Sequence, residues 1–168
     1  MIGRNTCLLL LGVSLIVGCG SGGNPDELTG LGNAQGITRQ IAGAWSGRLH
    51  QKGLKPFKIA VKITPSGSGQ VAYTGIRCGG EWTLTNVTSS LPPEYQFTEK
   101  ISRGAGKTCK GKGRVSLLPI QGYSPNEPAY KRIHYSFTGS GVKSRGLLHR
   151  IHAGEGAPVF KRAGVTPP

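Results

Sequence analysis

The sequence predicts an all-β fold, an antiparallel up-and-down barrel or sandwich of about eight strands, on three observations. Short apolar–polar alternations recur at fairly regular spacing, Gly- and Pro-rich turns separate them, and no helical periodicity is sustained between them. The 28 glycines among 168 residues suit the tight turns and bends of a small barrel.

The first strand is expected over Ala44–Gln51, where the pattern changes after Ala42. The clearest follows: Phe57, Ile59, Val61 and Ile63 alternate with Lys58, Ala60, Lys62 and Thr64, which makes one face apolar and the other largely polar. Residues 65–69, Pro-Ser-Gly-Ser-Gly, supply a loop, and Gln70–Ile76 returns as the second arm of a hairpin with Val71 and Tyr73 on one face. Further strands are read at Glu81–Val87, Tyr95–Ile101, Gly113–Ile120, Tyr130–Thr138 and Arg145–Ile151. Turns are placed at residues 78–80 (Cys-Gly-Gly), 91–93 (Leu-Pro-Pro), 104–106 (Gly-Ala-Gly) and 139–141 (Gly-Ser-Gly). Consecutive hairpins favour the up-and-down barrel.

Ahead of these strands the chain has a different character. Arg4 precedes an apolar run from Leu8 to Val17, which is too short to span a bilayer, since a membrane helix needs about 20 apolar residues. The run ends in Ile16-Val17-Gly18-Cys19, which resembles the lipobox of bacterial lipoprotein precursors. That resemblance implies a signal peptide over 1–18, removal of it, and lipid on Cys19, whose thiol is the nucleophilic group available for alkylation. Two or more acyl chains make such an anchor stable. Gly20 after the cut implies the outer membrane if the envelope is Gram-negative. Residues 19–42 then form the lipidated cysteine and a flexible tether rich in Gly, Ser and Asn, with a short helical turn possible over Ala34–Ala42; residues 43–156 are the β domain and 157–168 a mobile tail.

The chain carries 21 Lys and Arg against 7 Asp and Glu. Loss of residues 1–18 removes Arg4 and no acid, which leaves +13 on one domain of ordinary size. The cations are dispersed, a distribution suited to anionic surfaces at large. The expected partners are the membrane, through the anchor, and anionic envelope polymers or headgroups; an exported, tethered protein meets little nucleic acid, which is set aside. Cys7 and Cys19 belong to the export segment, so Cys78 and Cys109 remain, and an even pair in an oxidising compartment is most simply a disulfide. Two thiols without a nearby His pair cannot fill a zinc shell, and no metal or cofactor motif is present.

No spacing matches a P-loop, a zincin helix or a nucleophile elbow. His50, His134, His149 and His152 lack any carboxylate pattern and read as exposed strand residues. Glu99 is the acid of interest, because it follows Tyr95 and Phe97 on one strand face, with Ile101 continuing it. If that face points inward, Glu99 is a carboxyl inside the barrel, needing a partner or a proton. An internal pair with Arg or Lys that fixes strand register is the expected role, and a ligand-facing role shared with Tyr95 and Trp82 is the alternative. One acid without a second at suitable spacing excludes two-carboxylate hydrolysis. Trp45, Trp82, Tyr73, Tyr95 and Tyr135 are read as core residues before sugar-stacking ones.

The order of features, Trp45-Ser-Gly47, then residues 78–84 (Cys-Gly-Gly-Glu-Trp-Thr-Leu), Tyr95 to Ile101, Cys109 and residues 113–115 (Gly-Arg-Val), resembles a small all-β module of secreted or membrane-tethered actinobacterial proteins, including the outer part of some receptor-like serine/threonine kinases. It covers about residues 43–138 and implies a Cys78–Cys109 disulfide and a sensing or binding role without enzyme activity. Residues 68–73, Ser-Gly-Gln-Val-Ala-Tyr, resemble the Ser-Gly-x-x-Tyr motif of periplasmic inhibitors of C-type lysozyme with one residue too many, and the positive charge opposes a cationic partner. The expectation is a non-enzymatic, lipid-anchored envelope binding or scaffolding protein, with a small-ligand barrel as the alternative and the lysozyme inhibitor below it. Burial of Glu99 beside an open cavity favours the ligand site, whereas a filled interior favours surface binding.

Overall fold

Strict alternation of inward apolar and outward polar side chains lets the backbone close on itself. The computed structural model describes residues 36, 38–104, 109, 111–120 and 130–152. Eight strands, β1 (Gly43–Gln51), β2 (Phe57–Ile63), β3 (Ser68–Thr74), β4 (Cys78–Val87), β5 (Tyr95–Arg103), β6 (Lys112–Pro119), β7 (Arg132–Gly139) and β8 (Val142–Ile151), form a closed barrel in sequence order. All neighbours are antiparallel, and β1 closes the ring on β8 through pairs such as Trp45 with Arg150. Of the two architectures expected, the up-and-down barrel is the one formed. Closure leaves no open sheet edge.

The signal segment, Cys19 and the tether up to residue 35, like the tail beyond residue 152, lie outside the described residues. Of the short helical turn, the bonds from the Ile41 and Ala42 amides to the Thr38 carbonyl, at 3.1 and 3.0 Å, are described. No helix among the described residues is long and apolar enough to cross a membrane.

One expected turn is corrected. Cys78, Gly79 and Gly80 start β4, and the chain reverses just before them, at Gly75 to Arg77, with φ of 97° at Gly75 and 54° at Arg77. The glycine pair serves close strand approach: a Cβ on Gly80 would overlap the Lys100 carbonyl and lie 2.9 Å from Ile101 Cα, and the β4–β5 register shifts between Gly79 and Gly80. By contrast, the expected turn at 139–141 is a two-residue reversal with positive φ at Ser140 and Gly141.

Eight strands enclose an interior just wide enough for side chains or one small ligand. The end carrying the chain's entry into β1 is closed. Trp45 is fully buried, its Nε1–H donating to the Ile41 carbonyl at 2.8 Å, and the Arg150 guanidinium lies 4.4 Å from the centre of the indole. Arg150 donates to the carbonyls of Ala42, Gln40 and Tyr130 at 2.6, 2.8 and 2.9 Å. It thereby ties the incoming chain to β8 and to the start of β7. Burial lowers its pKa from the usual arginine range, so the site holds its charge at some cost, offset by these bonds. Tyr95, Phe97, Leu117 and Ile133 are fully buried in this half.

Candidate functional site

At the opposite end the barrel opens between the β1–β2, β3–β4, β5–β6 and β7–β8 connections. A cavity there gives the centre of a water molecule about 40 Å³ in which to move, enough for two or three waters. Phe57, Tyr73, Tyr135 and Phe137 wall it, Glu99 and Ser144 supply its inner polar atoms, and the Cys78–Cys109 disulfide forms part of its side. The disulfide spans 31 residues with a Cα separation of 6.2 Å and pins the β5–β6 connection to the start of β4.

Alternation brings these groups together. Tyr73 is the inward residue after Val71 on β3, Glu99 follows Phe97 on β5, and Tyr135 sits between the inward residues Ile133 and Phe137 on β7. Glu99 is 3% exposed. The Tyr73 hydroxyl donates to Glu99 Oε1, and Trp82 Nε1–H donates to the same oxygen at 2.8 Å. The Tyr73 and Tyr135 hydroxyls are 3.3 Å apart, and Tyr135 is further hydrogen-bonded to Ser144. Trp82 stacks on Tyr135 with ring centres 5.9 Å apart, which fixes the indole beneath the carboxyl.

Both bonds reach Oε1. No side-chain polar atom sealed from solvent lacks a partner among the described residues, so Oε2, with none, faces the cavity. Burial raises the Glu99 pKa above the ordinary carboxylate value, and the bonds from Tyr73 and Trp82 oppose that rise. Burial likewise pushes the Tyr73 and Tyr135 phenols well up, and nearby Glu99 adds to this, so both remain neutral donors.

The expected Arg or Lys partner of Glu99 is replaced by a phenol and an indole. A cation at this depth would need its own desolvation offset, whereas neutral donors satisfy the carboxyl at lower cost. Of the residues named as ligand-facing, only Glu99 lines the cavity; Trp82, 1% exposed, meets Glu99 from behind the lining, and Tyr95 belongs to the closed half. Tyr73 and Tyr135, read from the sequence as core, are the missed members of the polar cluster. Tyr73, the tyrosine of the lysozyme-inhibitor-like motif, is 5% exposed and points inward, not toward a partner protein. All four histidines are exposed, and no group of three His, Cys, Asp or Glu gathers among the described residues.

No protein-family model matches the chain, and no curated protein matches it. Among solved structures, a de novo designed fluorescence-activating β-barrel is similar over 68% of this chain and 97% of its own, with 16% identity and a TM-score of 0.45.

Proposed function

We propose that the protein is a small-ligand-binding β-barrel that catalyses no reaction and is held in the cell envelope by lipid on Cys19. The observation that supports the binding site is Glu99 Oε2, an oxygen of a buried carboxyl that has no partner among the described residues, at the floor of an aromatic-walled cavity open at one end. A ligand atom with hydrogen-bonding capacity supplies the missing partner. The aromatic walls give it apolar contact.

The two tryptophans provide the test. Trp82 Nε1–H is bonded to Glu99 at the floor of the cavity, and Trp45 Nε1–H is bonded to Ile41 at the far end. In an NMR screen of small hydrogen-bonding aromatic fragments, binding in the cavity moves the Trp82 indole resonance and leaves that of Trp45 in place. If no fragment moves Trp82 at millimolar concentration, or both indoles shift together, the cavity is not the binding site. For the anchor, radiolabelled palmitate is incorporated by cells expressing the protein and not by those expressing Cys19→Ser.

A second reading rests on the outer wall. Of the chain's 7 acids, the described residues hold Glu81, Glu94 and Glu99; the last is buried, and Glu94 is engaged by Ser116 at 2.5 Å, so exposed cations dominate the barrel exterior. This supports attraction to anionic envelope polymers. Co-sedimentation with sacculi and anionic vesicles at low and high salt separates a specific site, which survives salt, from screened attraction, which does not.

A further inference from the structure

The carboxyl of Glu99 is served on one side only. Oε1 accepts from the Tyr73 hydroxyl and the Trp82 indole N–H, while Oε2 has no partner among the described residues. Both donors are neutral. None of the residues lining the cavity is Lys, Arg or His, so nothing in the lining compensates the negative charge that Glu99 carries when ionised. The direction of its pKa agrees: burial raises it, the two hydrogen bonds oppose the rise, and no cation contributes.

The space in front of Oε2 is walled by the rings of Phe57, Tyr73, Tyr135 and Phe137. Phe57 and Tyr73 meet edge to face, with ring centres 6.1 Å apart and planes at 72°, so the aromatic wall turns a corner there. The face of an aromatic ring attracts a cation, and a carboxylate attracts one more strongly where water is excluded. Gln51 and Ser144, which also line the cavity, carry further oxygens able to accept hydrogen bonds.

We propose that the cavity binds a small primary alkylammonium ion, whose N–H groups donate to Glu99 Oε2 and whose short carbon chain lies against the aromatic walls. This assignment rests on the cavity reading above and adds the ligand's charge and the group that meets Glu99. An anion would face the carboxylate directly. A neutral alcohol would satisfy the oxygen but leave its charge uncompensated, and a quaternary ammonium would bring the charge without an N–H. Taking an ammonium out of water is costly, and the carboxylate, the rings and the further oxygens offset that cost together. Room for two or three waters, roughly 60–90 Å³ at the density of the liquid, holds an ammonium with a chain of about three carbons. Exposed cations near the lip of the open end, Lys52 and Lys143 among them, oppose a cation's approach. Their charge is screened beyond about 8 Å at physiological salt, whereas the contact with Glu99 is made inside the barrel.

The test is titration of the full-length protein with propylammonium, 1-propanol and propionate at one ionic strength and about pH 7.5, where an alkylamine is protonated. Binding is read on the indole N–H resonance of Trp82. Propylammonium binds about tenfold more tightly than propanol, a difference of roughly 1.4 kcal/mol, and propionate leaves the resonance in place. Tetramethylammonium, with charge but no N–H, binds more weakly than propylammonium. In Glu99→Gln the amide oxygen keeps the bonds from Tyr73 and Trp82 and an N–H donor takes the place of Oε2, so the preference for propylammonium disappears while the affinity for propanol is unchanged. Glu81→Gln, which removes an exposed carboxylate from the outer wall, retains the preference. Equal binding of propylammonium and propanol overturns the proposal, as does tetramethylammonium binding as tightly as propylammonium, or a preference that survives in Glu99→Gln. The comparison of probes on the wild type decides the matter even where the Gln variant fails to fold. Silence of Trp82 with all four probes instead removes the cavity reading on which the proposal rests.

Discussion

Replacing Glu99 by leucine isolates what the buried polar cluster contributes to stability. The substitution removes the acceptor of the bonds donated by Tyr73 and Trp82. A buried donor left without a partner costs about 1–3 kcal/mol. The Trp82 N–H has no other acceptor in the cluster and bears the full penalty, whereas the Tyr73 hydroxyl keeps Tyr135 at 3.3 Å and bears less. Leucine also relieves the desolvation of the carboxyl, which offsets the smaller Tyr73 penalty, so the net loss is about 1–3 kcal/mol. With an m-value of roughly 2 kcal/mol/M, the urea midpoint read by tryptophan fluorescence falls by about 0.5–1.5 M. Glu99→Gln keeps an acceptor oxygen of the same shape and shifts the midpoint far less. The pH dependence follows from the raised carboxyl. The folded state holds the proton where the unfolded chain has released it, so the stabilisation is fully present below the ordinary value of 4.5 and is lost as pH rises through the folded value. The wild type therefore loses stability with rising pH in that window relative to Glu99→Gln, which has no such proton. Equal midpoints for the Leu and Gln variants, or parallel stability–pH curves for wild type and Gln, would refute the argument.

Other substitutions test the rest of the frame. Removing the disulfide as Cys78→Ala/Cys109→Ala opens a loop of 31 residues and costs roughly 3–4 kcal/mol, seen as a lower melting temperature that reductant reproduces in the wild type. Arg150→Met deletes the bonds to Ala42, Gln40 and Tyr130 and destabilises by about 2–4 kcal/mol in denaturant titration, while the Trp82 response to cavity fragments is unchanged. The ring of Phe137 occupies the space a Cβ on Gly113 would need, so Gly113→Ala forces the ring aside at a cost of about 1–3 kcal/mol, read by calorimetry. Because Phe137 also walls the cavity, the same variant weakens fragment binding.

Much of the barrel was legible because its pattern is local. The alternation from Phe57 to Ile63 required only side-chain period and neighbouring turns, and β2 spans those residues. The Cys-Gly-Gly stretch misled for a physical reason: glycine marks a turn or a place where another strand presses close, and one sequence cannot distinguish them. Glu99 could be placed on an inward face from Tyr95, Phe97 and Ile101 alone. Its partners could not, because Tyr73 and Tyr135 lie 26 and 36 residues away and meet it only through barrel closure and strand register. The separation of Tyr95 from the cavity was hidden likewise. Residues 95 and 99 share a face but stand about 13 Å apart along a strand, Tyr95 at the closed end of β5 and Glu99 at its middle, where the cavity begins.

The stopper made by Arg150 and Trp45 has a kinetic consequence. With that end shut, a guest enters and leaves by the same lip, and microscopic reversibility makes the departing path the arriving path in reverse. A bulky substitution at the lip that merely obstructs passage slows arrival and departure by the same factor and leaves the dissociation constant where it was. A substitution that removes a holding contact shortens residence and weakens affinity together. Measured rates at the lip therefore sort doorway residues from binding residues without any structure of the complex.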